Sequence, residues 1–400
     1  MKTYGDWFTG FGGMTLGAKA AGLDVVFGAE YDPKIAEVYR LNFGDHVMVC
    51  DLLKTPVTAF PRVDVFHASP PCPNFSNAKA NNEESENDIA LSAKVAEYIT
   101  YHLPDVFTLE NVYQYRNSKS WGVIAQALHT HGYLFNYWHV NMADYGVPQT
   151  RQRMIVIARR DGVMPQLPPA THTAEPQPSL FGTMPRWVSW YEAIEDLIPE
   201  LPDGKFAPWQ LERLPEEMKT SLIDVRNTGR ELTVLGCDTP SFTVQASAMR
   251  RPVSVTRAHI VNTREMHLSD SGANYTTRGN DEPVYTLSAT SHASRNKAFI
   301  VNDADARNPL RNNDEPAATV VTFETGGTFS RAFTGGRVVQ MTPRTLARFQ
   351  SFPNSYELPE HKQLACKGIG NAVPPLFAEK LYKSLVPGRA KAEQVKLFCD

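Results

Sequence analysis

The sequence predicts an α/β fold: a doubly wound, mostly parallel sheet joined to a second, mostly β segment. Two observations predict it. Short apolar runs alternate with amphipathic stretches of helical period as far as about residue 160, the pattern of strands linked by crossover helices. Beyond that point the alternation stops. Residues 163–218 are rich in proline and turn residues, and residues 225–335 are rich in Thr, Val and Ser with frequent turns, which suits short strands. A chain of 400 residues also exceeds what one hydrophobic core ordinarily covers, so about two domains are expected.

In order along the chain, residues 2–6 read as a short strand running into Asp6-Trp7-Phe8-Thr9-Gly10-Phe11-Gly12-Gly13, a glycine-rich turn that opens a helix. Glycines there allow positive φ and close approach of a cofactor to the backbone, although many tight turns share this composition. Residues 25–30 form a second strand ending in Glu30, placed where a carboxylate can hold the ribose hydroxyls of a nucleoside cofactor. A capping or surface glutamate is the other reading. Tyr31-Asp32-Pro33-Lys34 starts a helix to about Leu41, and residues 47–51 form a third strand ending in Asp51. Asp51 either contacts an adenine amine or caps the turn after the strand.

Residues 63–68 form a short buried strand, which Ser69-Pro70-Pro71-Cys72-Pro73-Asn74-Phe75-Ser76 terminates in a stiff turn. A thiol is thereby presented where a sheet ends, the edge at which open α/β sheets bind ligands. Cys72 is either a small core hydrophobe or a nucleophile. Residues 81–88 are polar and acidic, a mobile connection before a helix over 90–101. The buried strand at 106–112 carries Glu110 at its far end and, in a doubly wound sheet, lies beside the strand that delivers Cys72. Thiol and carboxyl then share one cleft. A helix over 121–131 and a strand over 133–141 follow. Gln149, Arg151 and Arg153 fall on one side of the extended chain leading into a strand at 154–158, where ordinary strand-edge charges are the alternative. Residues 341–352 form a helix, 367–375 a glycine turn, and a proline-started helix reaches about Leu385. Three stretches beginning at Cys237, Asn280 and Asn313 repeat an Asx-Pro turn feeding a strand, which repeated turn chemistry explains fully.

Composition narrows the class. At 42% hydrophobic, 21% charged and net charge −3, the chain is an ordinary globular protein, with no apolar run long enough to span a bilayer. Its five cysteines form no CxxC pair and no zinc spacing, so a reduced cytoplasmic protein without metal is expected. Between residues 226 and 348 there are 15 Lys and Arg against 11 Asp and Glu, all but one of the 15 being arginine. Arginine suits guanine edges and phosphates, while a mild excess on a solvated surface is the plainer explanation.

Taken together, these blocks resemble the cytosine-C5 DNA methyltransferases of bacteria and phages, in order and nearly end to end. The resemblance rests on the Asp6–Gly13 block, Glu30, Asp51, the Pro71-Cys72 loop with Phe75-Ser76, Glu110-Asn111-Val112, and the Gln149/Arg151/Arg153 block. Thr342-Pro343-Arg344…Arg348-Phe349-Gln350-Ser351-Phe352-Pro353 and Gly370-Asn371-Ala372-Val373-Pro374-Pro375 complete it. The chain departs from the family at Pro73, Thr345 and Gly368, where glutamine, glutamate and glutamine are common.

The resemblance has specific implications. A Rossmann-like catalytic domain occupies 1–165, a target-recognition domain 166–335, and residues 336–400 return to the catalytic domain. S-adenosylmethionine is held by Phe8, Gly10, Phe11, Gly12, Gly13, Glu30, Tyr31, Asp51, Pro71, Asn371 and Val373. Cys72 attacks C6 of cytosine, Glu110 protonates N3, Arg153 holds O2 and aligns Glu110, and Arg151 braces the loop or a phosphate. Ser76, Gln149, Arg250, Arg251, Arg257 and Arg278 contact double-stranded DNA. The implied protein is a monomer without metal or membrane partner, cytoplasmic and associated with the nucleoid through DNA. The rival readings are a tRNA cytosine-C5 methyltransferase, a catalytically silent DNA-binding relative, and a dinucleotide oxidoreductase sharing the glycine loop. The last has no use for Cys72, Glu110 and two arginines converging.

Overall fold

The computed structural model describes residues 1–71, 84–176, 182–203, 220–224, 233–236, 240–241, 260–262, 276–278, 331–334 and 337–386. The chain divides into two units, one formed by Met1–Leu197, Asp238–Ser247 and Pro343–Asp400, the other by Ile198–Cys237 and Ala248–Thr342.

The first unit is the α/β body that the alternation predicts. Its strands are β1 (Thr3–Trp7), β2 (Asp24–Glu30), β3 (Val47–Val49), β4 (Val65–Ala68), β5 (Val106–Asn111), β6 (Leu134–Asn141) and β7 (Gln152–Arg159). They form one sheet in the order β3-β2-β1-β4-β5-β7-β6. The first five are mutually parallel, and β7 runs antiparallel to both β5 and β6. The register pairs Ala68 with Leu109, so β4 and β5 are neighbours as their sequence order requires.

Helices α1 (Gly13–Ala20), α2 (Pro33–Phe43), α3 (Glu86–His102) and α4 (Lys119–Thr130) follow the strands. Their starts obey local chemistry. Asp32 caps α2 with Pro33 at its first position, Ser85 and Asp88 form a reciprocal capping box on α3, and Ser118 accepts the Trp121 N–H to open α4. The capping box starts α3 at Glu86, inside the stretch expected as a connection. Alternation along the strands sorts the two faces. Phe107, Leu109, Met154 and Val156 pack against α3 and α4, while Val106, Ile155 and Ile157 face the opposite core.

That opposite core is closed from the far end of the chain. After the short α5 (Trp190–Ile194), the first unit resumes with α6 (Pro343–Phe349), α7 (Lys362–Asn371) and α8 (Pro375–Leu385). Phe377, Ala378, Leu381 and Tyr382 of α8 lie against Met14 and Ala18 of α1. The approach is close enough that a Cβ on Gly17 would meet the Ala378 Cβ at 2.3 Å, and one on Gly13 would meet the Val373 carbonyl oxygen at 2.0 Å. Gly13→Ala is therefore expected to displace the backbone on one side of this contact and to cost about 1–3 kcal/mol, read as a lowered melting temperature. An unchanged melting temperature would show that the chain yields there freely.

One local expectation is overturned. Lys367 to Asn371 are not a glycine turn but the last part of helix α7. Gly368 is needed for contact instead, since a Cβ there would lie 2.2 Å from the Phe11 ring. The glutamine common at this position in the family would meet the same ring.

The second unit contains a four-stranded antiparallel sheet. Its order is β13 (Arg337–Gln340), β12 (Arg331–Thr334), β8 (Thr220–Asp224), β9 (Thr233–Gly236). A two-stranded ladder of β10 (Ile260–Asn262) and β11 (Thr276–Arg278) is also present. Apart from the end of a short 3-10 helix (Glu195–Glu200), strands are the regular structure described in this unit, as the Thr/Val-rich composition predicts. The second and third copies of the Asx-Pro repeat lie outside the described residues. Of the first, Pro240 and Ser241 are described; they belong to the first unit, where Ser241 bridges Gln149.

Candidate active site

The site gathers at the C-terminal ends of β1, β4 and β5, where a parallel sheet opens a crevice. Beyond β1 the chain turns sharply. Phe8 takes φ 63°, Gly10 56° and Gly12 70°, a left-handed run that costs a phenylalanine about 1–3 kcal/mol and so marks a constrained loop. Glu30 at the end of β2 holds this loop: its carboxylate accepts the N–H of Gly10 (3.0 Å), Tyr31 (2.8 Å) and Asp32 (2.9 Å). Tyr31 stands beside it 73% exposed, unusual for so large a ring and suited to covering a flat ligand. The side of Gly10 faces open space.

Two more cofactor candidates come from afar. Val373 reaches the loop through its carbonyl at Gly13, and Asn371 ends α7 on the surface. Gln350 donates to the carbonyls of Ile369 and Ala372 and so holds the α7–α8 turn. Asp51 accepts the Leu53 N–H and pairs with Lys54 at 3.1 Å.

Asp6 lies beneath the loop. It is fully enclosed, accepts a hydrogen bond from Thr15 Oγ1, and its carboxyl is pushed up to about 8 by burial. Folding therefore keeps on Asp6 a proton that the unfolded chain releases near its ordinary pKa of 3.8. Asp6 costs stability increasingly as pH rises from about 4 to 8, and by a constant amount above that. Asp6→Asn is expected to raise the melting temperature over this window relative to the parent, by a margin that widens with pH. A calorimetric pH series checks it, and a margin independent of pH would remove the protonated carboxyl.

Glu110 and two arginines form the second half. On β5, Glu110 pairs in register with Ile155 of β7, which brings its carboxylate beside the chain entering β7. Arg153 Nε lies 2.9 Å from Glu110 Oε1 and an Arg151 terminal nitrogen 3.9 Å from the same oxygen. Arg151 is almost wholly enclosed and donates to the Gly370 carbonyl (3.0 Å). Burial first, then the adjacent Arg153, hold its guanidinium well below the usual range, with Glu110 opposing. Asn111, next to Glu110, donates to the Pro70 carbonyl over 3.0 Å and so pins the proline turn that follows β4.

The expected convergence is therefore present for Glu110, Arg151 and Arg153, with the exposed Pro71 at the mouth. Gln149, the expected DNA contact, is placed in the interior. Its side chain is fully enclosed with the amide unpartnered among the described residues, and its backbone bridges Ser241. Cys72, Ser76, Arg250, Arg251 and Arg257 lie outside the described residues, and Arg278 is described as part of β11. The reach of Arg151 to Gly370 was not read from sequence. A hydrogen bond between two segments 219 residues apart leaves no local signal.

Comparisons with known proteins bear on the family and the fold. The profile of the C-5 cytosine-specific DNA methylases matches residues 3–387. Type II methyltransferase M.AgeI of Thalassovita gelatinovora is 25% identical over 99% of both chains. Type II methyltransferase M1.HphI of Haemophilus parahaemolyticus is 32% identical over 43% of this chain, a match spanning about half (49%) of that relative. Among solved structures, a prophage-encoded DNA modification methyltransferase of E. coli shares the fold with a TM-score of 0.53. It is 18% identical, with 96% of this chain and 98% of that one covered. The Dnmt2 methyltransferase of S. pombe does so with a TM-score of 0.51 at 15% identity, covering 96% and 98%. The chain belongs to the C-5 cytosine-specific DNA methylase family.

Proposed function

We propose that the chain transfers a methyl group from S-adenosylmethionine to C5 of a cytosine flipped out of duplex DNA, through a transient bond between Cys72 and C6. The observation that carries this is the grouping of Glu110 with Arg153 and Arg151 beside the strand end from which Pro70 and Pro71 lead to Cys72. The glycine loop is one strand away.

The residues present fit S-adenosylmethionine. The loop is open at Gly10, and Asp6 Oδ1 and Thr9 Oγ1 are enclosed without hydrogen-bond partners among the described residues, acceptors suited to an ammonium group. Glu30 Oε2, which accepts the Gly10 N–H, has a lone pair left for a ribose hydroxyl, and Tyr31 can cover an adenine. When bound, the cofactor supplies an electrophilic methyl group on a sulfonium.

The chain's own residues make C5 able to take it. The Cys72 thiolate adds to C6, which ends the aromaticity of the ring and moves an electron pair towards C5. Glu110 stabilises that charge by hydrogen bonding and proton donation at N3, and Arg153 fixes the Glu110 carboxyl while reaching O2. Arg151, spent on Gly370 and Glu110, braces the site. Once C5 carries the methyl group, its proton leaves to water, the Cys72–C6 bond breaks, and 5-methylcytosine is released. Because C6 is shielded in a stacked duplex, the base must leave the helix first. Target recognition is assigned to the 166–335 segment and its arginines.

Radiolabelled S-adenosylmethionine offered with mixed-sequence duplex DNA, and with tRNA in parallel, tests the reading. Label in 5-methylcytosine of DNA is the expected result. Label in tRNA alone would transfer the chemistry to RNA, and no label with cofactor still bound would make the protein a silent DNA binder.

A further inference from the structure

A line of buried hydrogen bonds crosses the catalytic sheet and ends at Ser69, and the chemistry above makes no use of it. His67, fully enclosed on β4, places Nδ1 2.8 Å from Thr108 Oγ1 on β5 and Nε2 2.8 Å from Ser69 Oγ. Thr108 Oγ1 lies 3.2 Å from the Tyr382 hydroxyl on α8, which donates to the Tyr4 hydroxyl on β1 over 3.4 Å. Burial pushes the imidazole down to about 3, so the ring is neutral and one nitrogen donates while the other accepts. With Tyr382 donating to Tyr4, Thr108 donates to Tyr382 and accepts from Nδ1–H, which leaves Nε2 to accept from the Ser69 hydroxyl.

The placement of this line is informative. Ser69 N–H bonds the Trp7 carbonyl at 3.3 Å, and the next two residues, Pro70 and Pro71, have no N–H to offer. The turn can therefore be tied down only through carbonyls and side chains. Asn111 takes the Pro70 carbonyl, and His67 takes the Ser69 hydroxyl. An apolar side chain would fill position 67 without the cost of burying two ring nitrogens.

We propose that His67 is a positioning residue for methyl transfer, tying Ser69 to the rigid β5–α8 core and so fixing the direction in which Pro70 and Pro71 carry Cys72. This rests on the nucleophile reading of Cys72. The side chain of Ser69 is the movable end of the device, since His67, Thr108 and Tyr382 are locked in the core.

Ser69→Ala cuts the line at that end with little risk to folding. Misdirecting a nucleophile by an ångström can cost up to about 100-fold, so single-turnover transfer to duplex DNA is expected to fall about 10-fold or more, with S-adenosylmethionine affinity within about twofold of the parent. At position 67, His67→Gln keeps an acceptor near the Nε2 position and is expected to retain more of the rate than His67→Asn, which reaches only towards Thr108. Parental rates in Ser69→Ala, or a lowered melting temperature with an unchanged rate in the His67 variants, would overturn the positioning role and leave His67 as core packing. Cys72→Ala measured alongside separates the two readings. Turnover there removes the nucleophile assignment itself, whereas an inactive Cys72→Ala beside a fully active Ser69→Ala overturns the positioning role alone.

Discussion

Cys72→Ala is expected to lower methyl transfer by about 10⁴-fold or more while cofactor and DNA binding persist. The size reflects the work of the thiolate. Without addition at C6, C5 keeps its aromatic electron distribution and has almost no tendency to attack a methyl group. In the proposed mechanism no neighbouring side chain replaces that step, since Glu110 serves N3, Arg153 reaches O2 and Arg151 only braces the site. Transfer measured under single-turnover conditions, with cofactor binding by calorimetry, makes the comparison. A rate within about tenfold of the parent would require a mechanism without the covalent bond.

The next largest effect is expected at Glu110. Glu110→Gln removes the acid proposed to serve N3, and general acid–base catalysis of this kind contributes about 10²–10⁴-fold. It also leaves Arg151 and Arg153 facing each other without the carboxylate they now share at 3.9 and 2.9 Å. Losing one member of a buried ion pair costs on the order of 3–5 kcal/mol, so the melting temperature should fall with the rate. Arg153→Ala should slow transfer as well, and the double variant should be far less impaired than the two losses multiplied, because both changes break one contact. Independent, multiplying losses would show that Arg153 acts on the base and not through Glu110.

The parts of this site that were legible in sequence are those fixed by short-range rules. A strand ended by prolines, a carboxylate at the end of the next buried strand and a glycine loop after the first are local patterns, and parallel-sheet topology brings them to one edge. Alternation also placed Arg151 and Arg153 on one side, as their shared oxygen on Glu110 requires. It did not reveal that Gln149, two residues earlier, is enclosed and bridged to Ser241, because that depends on a partner segment far along the chain. Gly368 misled for a related reason. Glycine signals a turn, but here it clears space for the Phe11 ring inside a helix, and a helix end with two glycines looks the same as a turn until its neighbour is known. The His67–Thr108–Tyr382 line joins residues that each look like ordinary core or strand positions.

The seam between α1 and α8 bears on how the protein is made. Tyr4 and Tyr382 touch although 378 residues separate them, and Gly13 meets Val373. On the ribosome, the first helix and its glycine loop emerge with one flank bare and stay so while the whole intervening stretch is synthesised. The sheet can assemble early, yet the cover over α1 arrives only with the residues after Pro343. Long-range closures of this kind fold slowly, and a bare apolar flank is a target for chaperones or for aggregation until then. Nascent chains halted before Pro343 should therefore bind a hydrophobic dye and lack affinity for the proposed cofactor, which would first be engaged only when synthesis has passed the closing helices.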